Sequence, residues 1–375
     1  MSENPMGDMF GDLFKMLGQQ GADAWFQTAT QLALNVARGE DGDPNPQPSE
    51  RQRLEEFAPL VGRHVDALFG VSSTPEVTAV NRSGLTIAAL NQWKPLISPL
   101  ADNPPTLDLE DVEGVEGGAM MAQLAGSLGP LFLGFQMGSV AGHFSERAWS
   151  LSALALPRED ATRHLVVNNL VAFAEEWSLE RDEVYVFALS REFVASLVLS
   201  QPGTGDALRA LLVDAVRESA AAQGDLIERL QGMINPENMA SFMSNPEALL
   251  DEIELPGETD ATRAINAAAA VLSAFFDAAA AAITTAILGP RPLLNEAWRR
   301  HRFSDARGED AAAALFGISN QGPHHDLARN FVAQVTREHT MGAFSALLRV
   351  DGLPSDVELS EPSGWYERVS NSPLA

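Results

Sequence analysis

The sequence predicts an all-α fold. Apolar residues recur three and four positions apart along most of the chain, the spacing that gives a helix one buried face. Alternating polar and apolar runs joined by hairpin turns, which would indicate a sheet, are scarce. A chain of 375 residues with 45% hydrophobic and 20% charged residues has the composition of a soluble protein with one large or two ordinary domains.

The N-terminal region is predicted to be a helical arm followed by a flexible linker. Residues 21–38 carry apolar side chains at helical spacing, from Trp25 to Val36. Residues 39–49, GEDGDPNPQPS, combine three prolines, two glycines and three acids, a composition that cannot form a packed core. We therefore predict an arm and linker over residues 1–50 and an all-α domain over residues 51–375.

Beyond the linker, helical periodicity continues nearly to the C-terminus. Each predicted helix is a run with apolar positions three or four apart. Acidic segments that contain Pro and Gly, such as 106–118 and 235–262, are predicted to be surface loops. The predicted helices span residues 51–69, 85–100, 119–144, 164–175, 181–200, 206–228, 246–251, 261–288, 293–302 and 325–338.

Two of these helices are unusually apolar. Residues 117–145 contain no charged side chain, and their glycines 134, 138 and 142 repeat every fourth residue, a spacing that lets helix backbones approach closely. Polar residues interrupt the run and no basic or aromatic belt flanks it, so a tightly packed helix or helix pair is favoured over a transmembrane segment. The alanine-rich run 264–288, which contains Asp277, is predicted to be a core helix.

Composition excludes several classes of function. The formal net charge of −26 repels nucleic acid and anionic membranes, and the densest basic cluster, residues 299–302, is too small to reverse this. The absence of cysteine excludes disulfides and thiolate metal sites. The first residues are acidic where a secretory signal would be basic. We therefore expect a cytoplasmic protein that has no transmembrane segment and does not bind nucleic acid.

Common catalytic motifs are missing from the sequence. None of the seven histidines stands three or four residues from another, so the helical zinc motif H-E-x-x-H is not intact. The serine-hydrolase elbow, the phosphate-binding loop and the dinucleotide-binding motif are also absent. The adjacent acids at 159–160 and 175–176 would point about 100° apart on a helix, so neither pair suits paired-carboxylate catalysis.

The strongest candidate for a functional residue lies in the predicted helix 181–200. Its segment VYVFALSREFVASLVLS is almost wholly apolar except for the adjacent Arg191 and Glu192. A buried charge must be paired, hydrogen-bonded or functional. Two interpretations follow. In one, Glu192 is held by an arginine from another helix or by Arg191 itself; in the other, it is a general base whose pKa is raised by its apolar surroundings.

Four segments occur in an informative order. They are GAMMAQLAGSLGPLFLGFQMGSVAG, LVVNNLVAFAEEWSL, DEVYVFALSREFVASLVL and MSNPEALLDEI. In this order they resemble a bacterial zincin-like family of zinc-dependent metallopeptidases or hydrolases. Members of that family show a glycine-rich helix, a segment like lPaNvaafa, a helix like vrlylalREaaHqrlF and an acidic region with NPeal. The resemblance extends from about residue 51 to about residue 353 and implies a zincin-like fold.

The resemblance places a degenerate H-E-x-x-H motif on residues 191–195. Arg191 falls at the first motif histidine, where the family pattern itself has arginine, and Glu192 falls at the catalytic glutamate. Ala195 falls where the family has its histidine, and alanine cannot bind a metal. Without zinc, the water that the glutamate would activate keeps too high a pKa to attack. Glu218 lies at a plausible sequence distance for a third ligand, but a lone carboxylate would not hold zinc.

We therefore expect a pseudoenzyme. In this hypothesis the protein is an all-α, zincin-like chain that has lost its zinc site, binds no cofactor and acts as a non-catalytic binding or structural module for an unidentified protein or peptide. The alternative is an active zinc-dependent metallopeptidase or hydrolase with zinc as cofactor and Glu192 as general base. Its zinc ligands would come from outside the motif helix, and His143, His164 and His339 are the candidates.

Overall fold

The computed structural model describes residues 24–39, 42–72, 74–102, 118–233, 258–304, 306–319 and 322–371. These residues form helices almost throughout, so the predicted all-α class is confirmed. The predicted helix 246–251 and most of the two predicted acidic loops lie outside the described residues.

The described residues contain thirteen α-helices. In chain order they are α1 (Ala24–Arg38), α2 (Pro48–Phe69), α3 (Arg82–Asp102), α4 (Gly118–Arg147), α5 (Val167–Glu176), α6 (Arg181–Leu199), α7 (Pro202–Met233), α8 (Asp260–Leu288), α9 (Pro292–Phe303), α10 (Arg307–Leu315), α11 (Pro323–His339), α12 (Asp356–Ser360) and α13 (Pro362–Asn371). Two segments, Leu151–Ala153 and Met341–Leu348, are 3-10 helices.

Two short strands were not predicted from the sequence. Strands β1 (Thr78–Val80) and β2 (His164–Val166) pair in parallel, starting with Thr78 opposite His164. The prediction of a helix over 164–175 is therefore wrong at its first three residues, because α5 begins only after β2. The hydrogen-bond partner of β2 lies far away in the sequence, so the local pattern around it could not indicate a strand.

Three helices near the C-terminus were also missed. Helices α10, α12 and α13 have ten residues or fewer, too short for their apolar periodicity to stand out. Helix α12 begins with a capping box, in which the backbone N–H of Glu358 donates to Ser355 Oγ and the Glu358 carboxylate accepts from the backbone N–H of Ser355. This local hydrogen bonding stabilises a helix of only five residues.

The described residues form two compact units, and each is considered by itself. The first comprises the described parts of Met1–Leu154, Arg158–Leu197 and Phe276–Ala312. The second comprises those of Ala155–Pro157, Val198–Phe275 and Ala313–Ala375. The domain boundary that the sequence analysis placed after residue 50 stays a prediction.

In the first unit, α1 packs directly on the glycine row of α4. A Cβ atom added at Gly138 would lie 2.7 Å from the Ala29 carbonyl oxygen, and one added at Gly142 would lie 2.5 Å from Cβ of Val36. Both distances are shorter than any van der Waals contact allows. The four-residue glycine spacing therefore forms a close helix pair with the N-terminal helix, as the sequence analysis favoured.

The segment after α1 is held by hydrogen bonds to the start of α3. The two carboxylate oxygens of Asp43 accept from the backbone N–H groups of Arg82 and Ser83, at 3.0 and 2.7 Å. An acid at a helix N-terminus satisfies free N–H groups and complements the helix dipole. Asn81 Nδ2 also donates to the backbone carbonyl of Asp43. These contacts tie the predicted linker to α3 at this point.

The second unit has an aromatic core. Phe344 stacks on Phe275 with ring centroids 4.6 Å apart and lies 5.4 Å from Trp365, which in turn contacts Phe331 at 5.3 Å. The indole N–H of Trp365 donates to the carbonyl of Gly352 at 2.9 Å, so the polar atom of this buried ring is satisfied. The cluster links α8, α11 and α13 with the 3-10 helix Met341–Leu348.

One helix of the described chain, α8, is long and apolar enough to cross a membrane. More than half of its most apolar stretch is buried inside the protein. Burial of this extent is typical of a core helix, as the sequence analysis predicted for the alanine-rich run. This helix is therefore weak support for a transmembrane segment.

The helix pair gives a direct test of its glycine contacts. We expect Gly138→Ala to lower the free energy of unfolding by about 1–3 kcal/mol, because the new methyl group must push α1 away from α4. Chemical denaturation measures this change. The matched control is Gly364→Ala in α13, where an added Cβ meets nothing within 4 Å. This control should be neutral or slightly stabilising, and an equal loss in both variants would contradict the close contact.

Candidate functional site

Helix α6 places the candidate charge pair in the interior. Residues 184–197 are all buried, and the exposed fraction is 3% for Arg191 and 0% for Glu192. The two side chains leave the helix about 100° apart, so they project towards different neighbours. Each charge is therefore paired by a residue from elsewhere in the first unit.

The carboxylate of Glu192 is held by the guanidinium of Arg158. Arg158 Nη1 donates to Oε1 at 2.7 Å and Nη2 donates to Oε2 at 3.2 Å, a two-pronged pair in which both side chains are buried. The backbone N–H of Ser152 also donates to Oε2, at 3.3 Å. The sequence predicts an arginine from another helix, or Arg191 itself, as the partner of Glu192. The observed partner instead comes from the loop before β2.

Arg191 is paired with a carboxylate on helix α8. Its Nε donates to Asp277 Oδ1 at 2.8 Å, and Arg302 Nη1 donates to Asp277 Oδ2 at 2.7 Å. Burial by itself would raise the pKa of Asp277, but Arg302 and Arg191 outweigh it and hold that pKa below its ordinary value. The only acid in the long apolar run of α8 is thus the counter-ion of the motif arginine.

Ser152 joins the two ion pairs. Its backbone N–H donates to Glu192, while its carbonyl and hydroxyl oxygens accept from Arg191 Nη1 at 2.6 and 2.7 Å. The hydroxyl also lies 2.6 Å from that of Ser150. One residue of the 3-10 helix therefore contacts both motif charges, and the two pairs form a single polar network in the core.

The rest of the motif helix is equally closed. Ala195 is fully buried, and Ser196, which follows it, accepts a hydrogen bond from Arg163 Nε at 2.8 Å. The guanidinium of Arg163 lies over the Phe193 ring at 4.1 Å. The cavity beside Arg191 has a volume of only about 10 Å³, which is about the size of one water molecule.

Sequence reasoning missed both loop arginines. Arg158 and Arg163 flank the exposed acids Glu159 and Asp160. The loop has no periodicity that would reveal buried positions. A chemical signal could have indicated them. A carboxylate in an apolar helix needs a cation as partner, and these arginines follow the apolar segment LALP.

Comparison with known proteins identifies the family. The family described as zincin-like metallopeptidase matches residues 25–366, which is most of the chain. The chain belongs to this zincin-like family. No curated protein matches the chain. The predicted resemblance is confirmed, and it extends further towards the N-terminus than the sequence analysis placed it.

A solved structure shares the fold of this zincin-like chain. It comes from Chloroflexus aurantiacus and is described as a candidate hydrolase with a novel fold. The TM-score is 0.60 at 14% sequence identity, and the alignment covers 92% of this chain and 99% of the other. Similarity at this level of identity establishes the fold alone.

The family implies zinc, but the residues at the motif positions do not fit a zinc ion. Arg191 is a cation engaged with Asp277, and Ala195 has no donor atom. The carboxylate of Glu192 already faces the guanidinium of Arg158. Zinc sites in proteins take imidazole, thiolate or carboxylate ligands that are free of competing cations. The motif positions 191–195 therefore offer one paired carboxylate and no second ligand.

The three candidate histidines have different surroundings. His143 is exposed, with Nδ1 3.3 Å from a carboxylate oxygen of Glu146. His164 lies in β2, and burial lowers its pKa while Glu192 partly offsets this effect. His339, in the second unit, stacks on Tyr366 at 3.5 Å. Within the described residues, no group of three or more His, Asp or Glu side chains is arranged to hold a metal ion.

Glu218, the third-ligand candidate, has a helix-capping contact. Its Oε2 accepts a hydrogen bond from the backbone N–H of Ala261 at 3.1 Å, within the second unit. Ala261 lies in the first turn of α8, where backbone N–H groups have no partner inside the helix. A carboxylate at this position stabilises the helix start.

A much larger cleft lies elsewhere in the first unit. Its volume is about 650 Å³, and it is bounded by α4, α5, α9 and the start of α10, with Arg82 from α3. The buried ring of His301 lines it, and Phe173, Trp149 and Trp298 contact that ring at 4.9, 5.8 and 5.8 Å. Burial lowers the pKa of His301 to about 3, and Arg147 adds to the shift. His301 is therefore a neutral imidazole at physiological pH.

The buried ion pair can be tested by a double-mutant cycle. We expect Arg158→Met to lower the free energy of unfolding by about 3–5 kcal/mol, because it leaves Glu192 charged and buried without its cation. Adding Glu192→Leu should recover most of that loss, since the pair is then replaced by apolar side chains. Denaturant unfolding measures each variant.

The matched control is an exposed pair. Arg53→Met removes the ion pair with Asp182, in which both side chains are 43% exposed, and should cost less than about 1 kcal/mol. Strictly additive losses for Arg158→Met and Glu192→Leu would contradict the direct pairing of these two side chains.

His301 should make the stability of the protein depend on pH. The unfolded chain binds a proton at this residue near pH 6.5 and the folded chain only near pH 3, so the free energy of unfolding falls as the pH drops through this range. By roughly pH 5 the loss is about 2 kcal/mol. His301→Phe keeps a ring but removes the titration, so the difference in stability between the two proteins should change by that amount between pH 7 and about pH 5. Urea titrations measure it, and parallel pH profiles would refute it.

Proposed function

We propose that this zincin-like protein has lost the zinc site of its motif helix and acts in the cytoplasm as a non-catalytic binding module. The observation that carries the proposal is the closed salt bridge between Glu192 and Arg158. It occupies the carboxylate that the family motif assigns to catalysis. The partner is expected to be a protein or peptide, and the net charge of −26 favours a basic one.

The contacts of Glu192 oppose a role as general base. A general base must come within hydrogen-bond reach of a water or substrate proton. Here the side chain is completely buried, and both oxygens accept hydrogen bonds from Arg158. Releasing the carboxylate would leave a buried guanidinium unpaired, which is energetically expensive. The pair therefore favours a structural role for the glutamate.

The space around the motif supports the same proposal. A peptidase needs room beside its motif helix for a metal, a water molecule and a peptide bond. The neighbouring cavity of about 10 Å³ does not provide that room, and its lining includes Arg191 but not Glu192. Ala195 adds no ligand atom in a position where a histidine would bind.

Metal analysis and a cleavage assay test the proposal together. Full-length protein purified without chelators should contain far less than one zinc per chain by elemental analysis, and it should not cleave a mixed peptide library in added zinc. Glu192→Gln should leave that result unchanged, with a zinc-loaded peptidase run in parallel as the assay control. Stoichiometric zinc, together with chelator-sensitive cleavage that is lost in Glu192→Gln, would overturn the proposal.

A further inference from the structure

The cleft of the first unit has the properties of a small-molecule site. Its volume of about 650 Å³ lies within the usual range for such sites, about 300–1,000 Å³. Apolar side chains of Val140, Ala172 and Phe173 form part of its wall, and polar groups converge on it from four helices and from Arg82. None of the lining residues belongs to the motif helix α6.

His301 is the first indication of what the cleft binds. The residue is 8% exposed, and its ring nitrogens make no hydrogen bond to the described residues but are not fully buried, so they are reached from the cleft. Because its ring lines the cleft, a bound molecule can supply the missing partner. The neutral imidazole presents one N–H donor and one acceptor nitrogen.

Two arginines supply the second indication. The Nε of Arg82 donates to Asn169 Oδ1 at 3.0 Å, and Asn169 is fixed by its own hydrogen bonds to the carbonyls of Ser145 and Ala148 at 3.0 and 2.8 Å. Arg82 is thereby positioned by a buried amide. Its terminal N–H groups make no hydrogen bond to the described residues, and a guanidinium fork matches the geometry of an oxyanion.

Arg147 is positioned from another side of the cleft. One of its terminal nitrogens donates to the carbonyl of His301 and to the hydroxyl of Ser304, and these are its only hydrogen bonds among the described residues. Its remaining donors are available to a ligand. Two partly used guanidinium groups therefore line the same cleft as the unpartnered His301 ring.

The carboxylates of Glu146, Glu176 and Glu309 also line the cleft. Glu146 and Glu176 are both exposed, and Glu146 lies beside His143. In contrast, Asn169 and His301, which position or accompany the arginines, are buried. Arginine side chains thus lie beside the buried polar groups of the cleft, together with one buried carboxylate oxygen of Glu309.

We propose that this cleft binds a small organic molecule with a flat apolar body and one oxyanion, either a carboxylate or a phosphate. The oxyanion pairs with Arg82 and Arg147, and the body packs against Phe173 and His301, whose ring nitrogen hydrogen-bonds to it. The site is separate from the motif helix. Ligand binding in the cleft does not depend on whether zinc binds at Glu192.

Binding of simple probes tests the proposal. Benzoate, phenyl phosphate and inorganic phosphate are titrated into the full chain by calorimetry, with benzylamine as the probe of opposite charge. At least one aryl anion should bind at millimolar concentration or tighter, and benzylamine should bind at least about tenfold more weakly. The comparison of benzoate with phenyl phosphate shows which oxyanion the cleft prefers. Labelled-histidine NMR of the same samples should show a shift of the His301 ring nitrogens.

Variants locate the binding. Arg82→Gln should weaken binding of the aryl anion by about tenfold, since it removes one charged partner. Ala172→Phe should abolish binding by filling the cleft from an exposed position, which leaves the hydrogen bonds of the fold intact. The control Arg299→Gln lies on the same helix as His301 but pairs with Glu296, and it should bind like the wild type.

Two results would overturn the proposal. The first is that none of the aryl anions binds the wild-type protein at millimolar concentration. The second is that they bind equally well to the folded Ala172→Phe variant, which would place them outside the cleft.

Discussion

The structure of the first unit depends on burying two adjacent opposite charges at the centre of α6. Neighbouring residues on a helix point about 100° apart, so Arg191 and Glu192 cannot satisfy each other. Each requires a counter-ion from another element, since an unpaired buried charge costs several kcal/mol. Arg158 from the loop and Asp277 from α8 meet these needs. The requirement for charge pairing thus fixes how the loop and α8 lie against the motif helix, something that apolar packing alone would not specify.

The sequence revealed features encoded by short-range periodicity. The long helices and the close packing of the glycine row follow from spacings of three or four residues, and the core position of α6 follows from its almost wholly apolar sequence. The parallel pair β1–β2 and the arginine partner of Glu192 could not be derived this way, because each joins segments that are distant along the chain. The cleft was hidden for the same reason. The cluster at residues 299–302 was visible as a run of basic residues, but periodicity did not show that its histidine turns inward while Arg299 and Arg300 stay exposed.

Membership of a peptidase family and the location of usable binding chemistry are separate matters in this chain. The family motif lies on a helix whose two central charges are already paired inside the core. Arg191 pairs with Asp277, and Glu192 pairs with Arg158. The cleft, in contrast, is bounded by α3, α4, α5, α9 and α10, and its lining includes His301, Arg82 and Arg147. A fold can keep its architecture while ligand contacts form on another of its surfaces, because the architecture depends on packing and the contacts depend on a few side chains.

The glycine row on α4 has a consequence for how the N-terminal helix is held in place. The glycines of α4 recur every four residues, about one helical turn, and alanines 29, 33 and 37 of α1 recur at the same interval. Sliding α1 by four residues, about 6 Å, would therefore bring equivalent positions of α1 against the glycines. The four-residue repeat lets the two helix backbones approach closely, but by itself it does not define the register of α1 against α4. Register depends on larger groups at the end of α1, where Trp25 is buried and Phe26 lies under the ammonium of Lys94 at 4.7 Å.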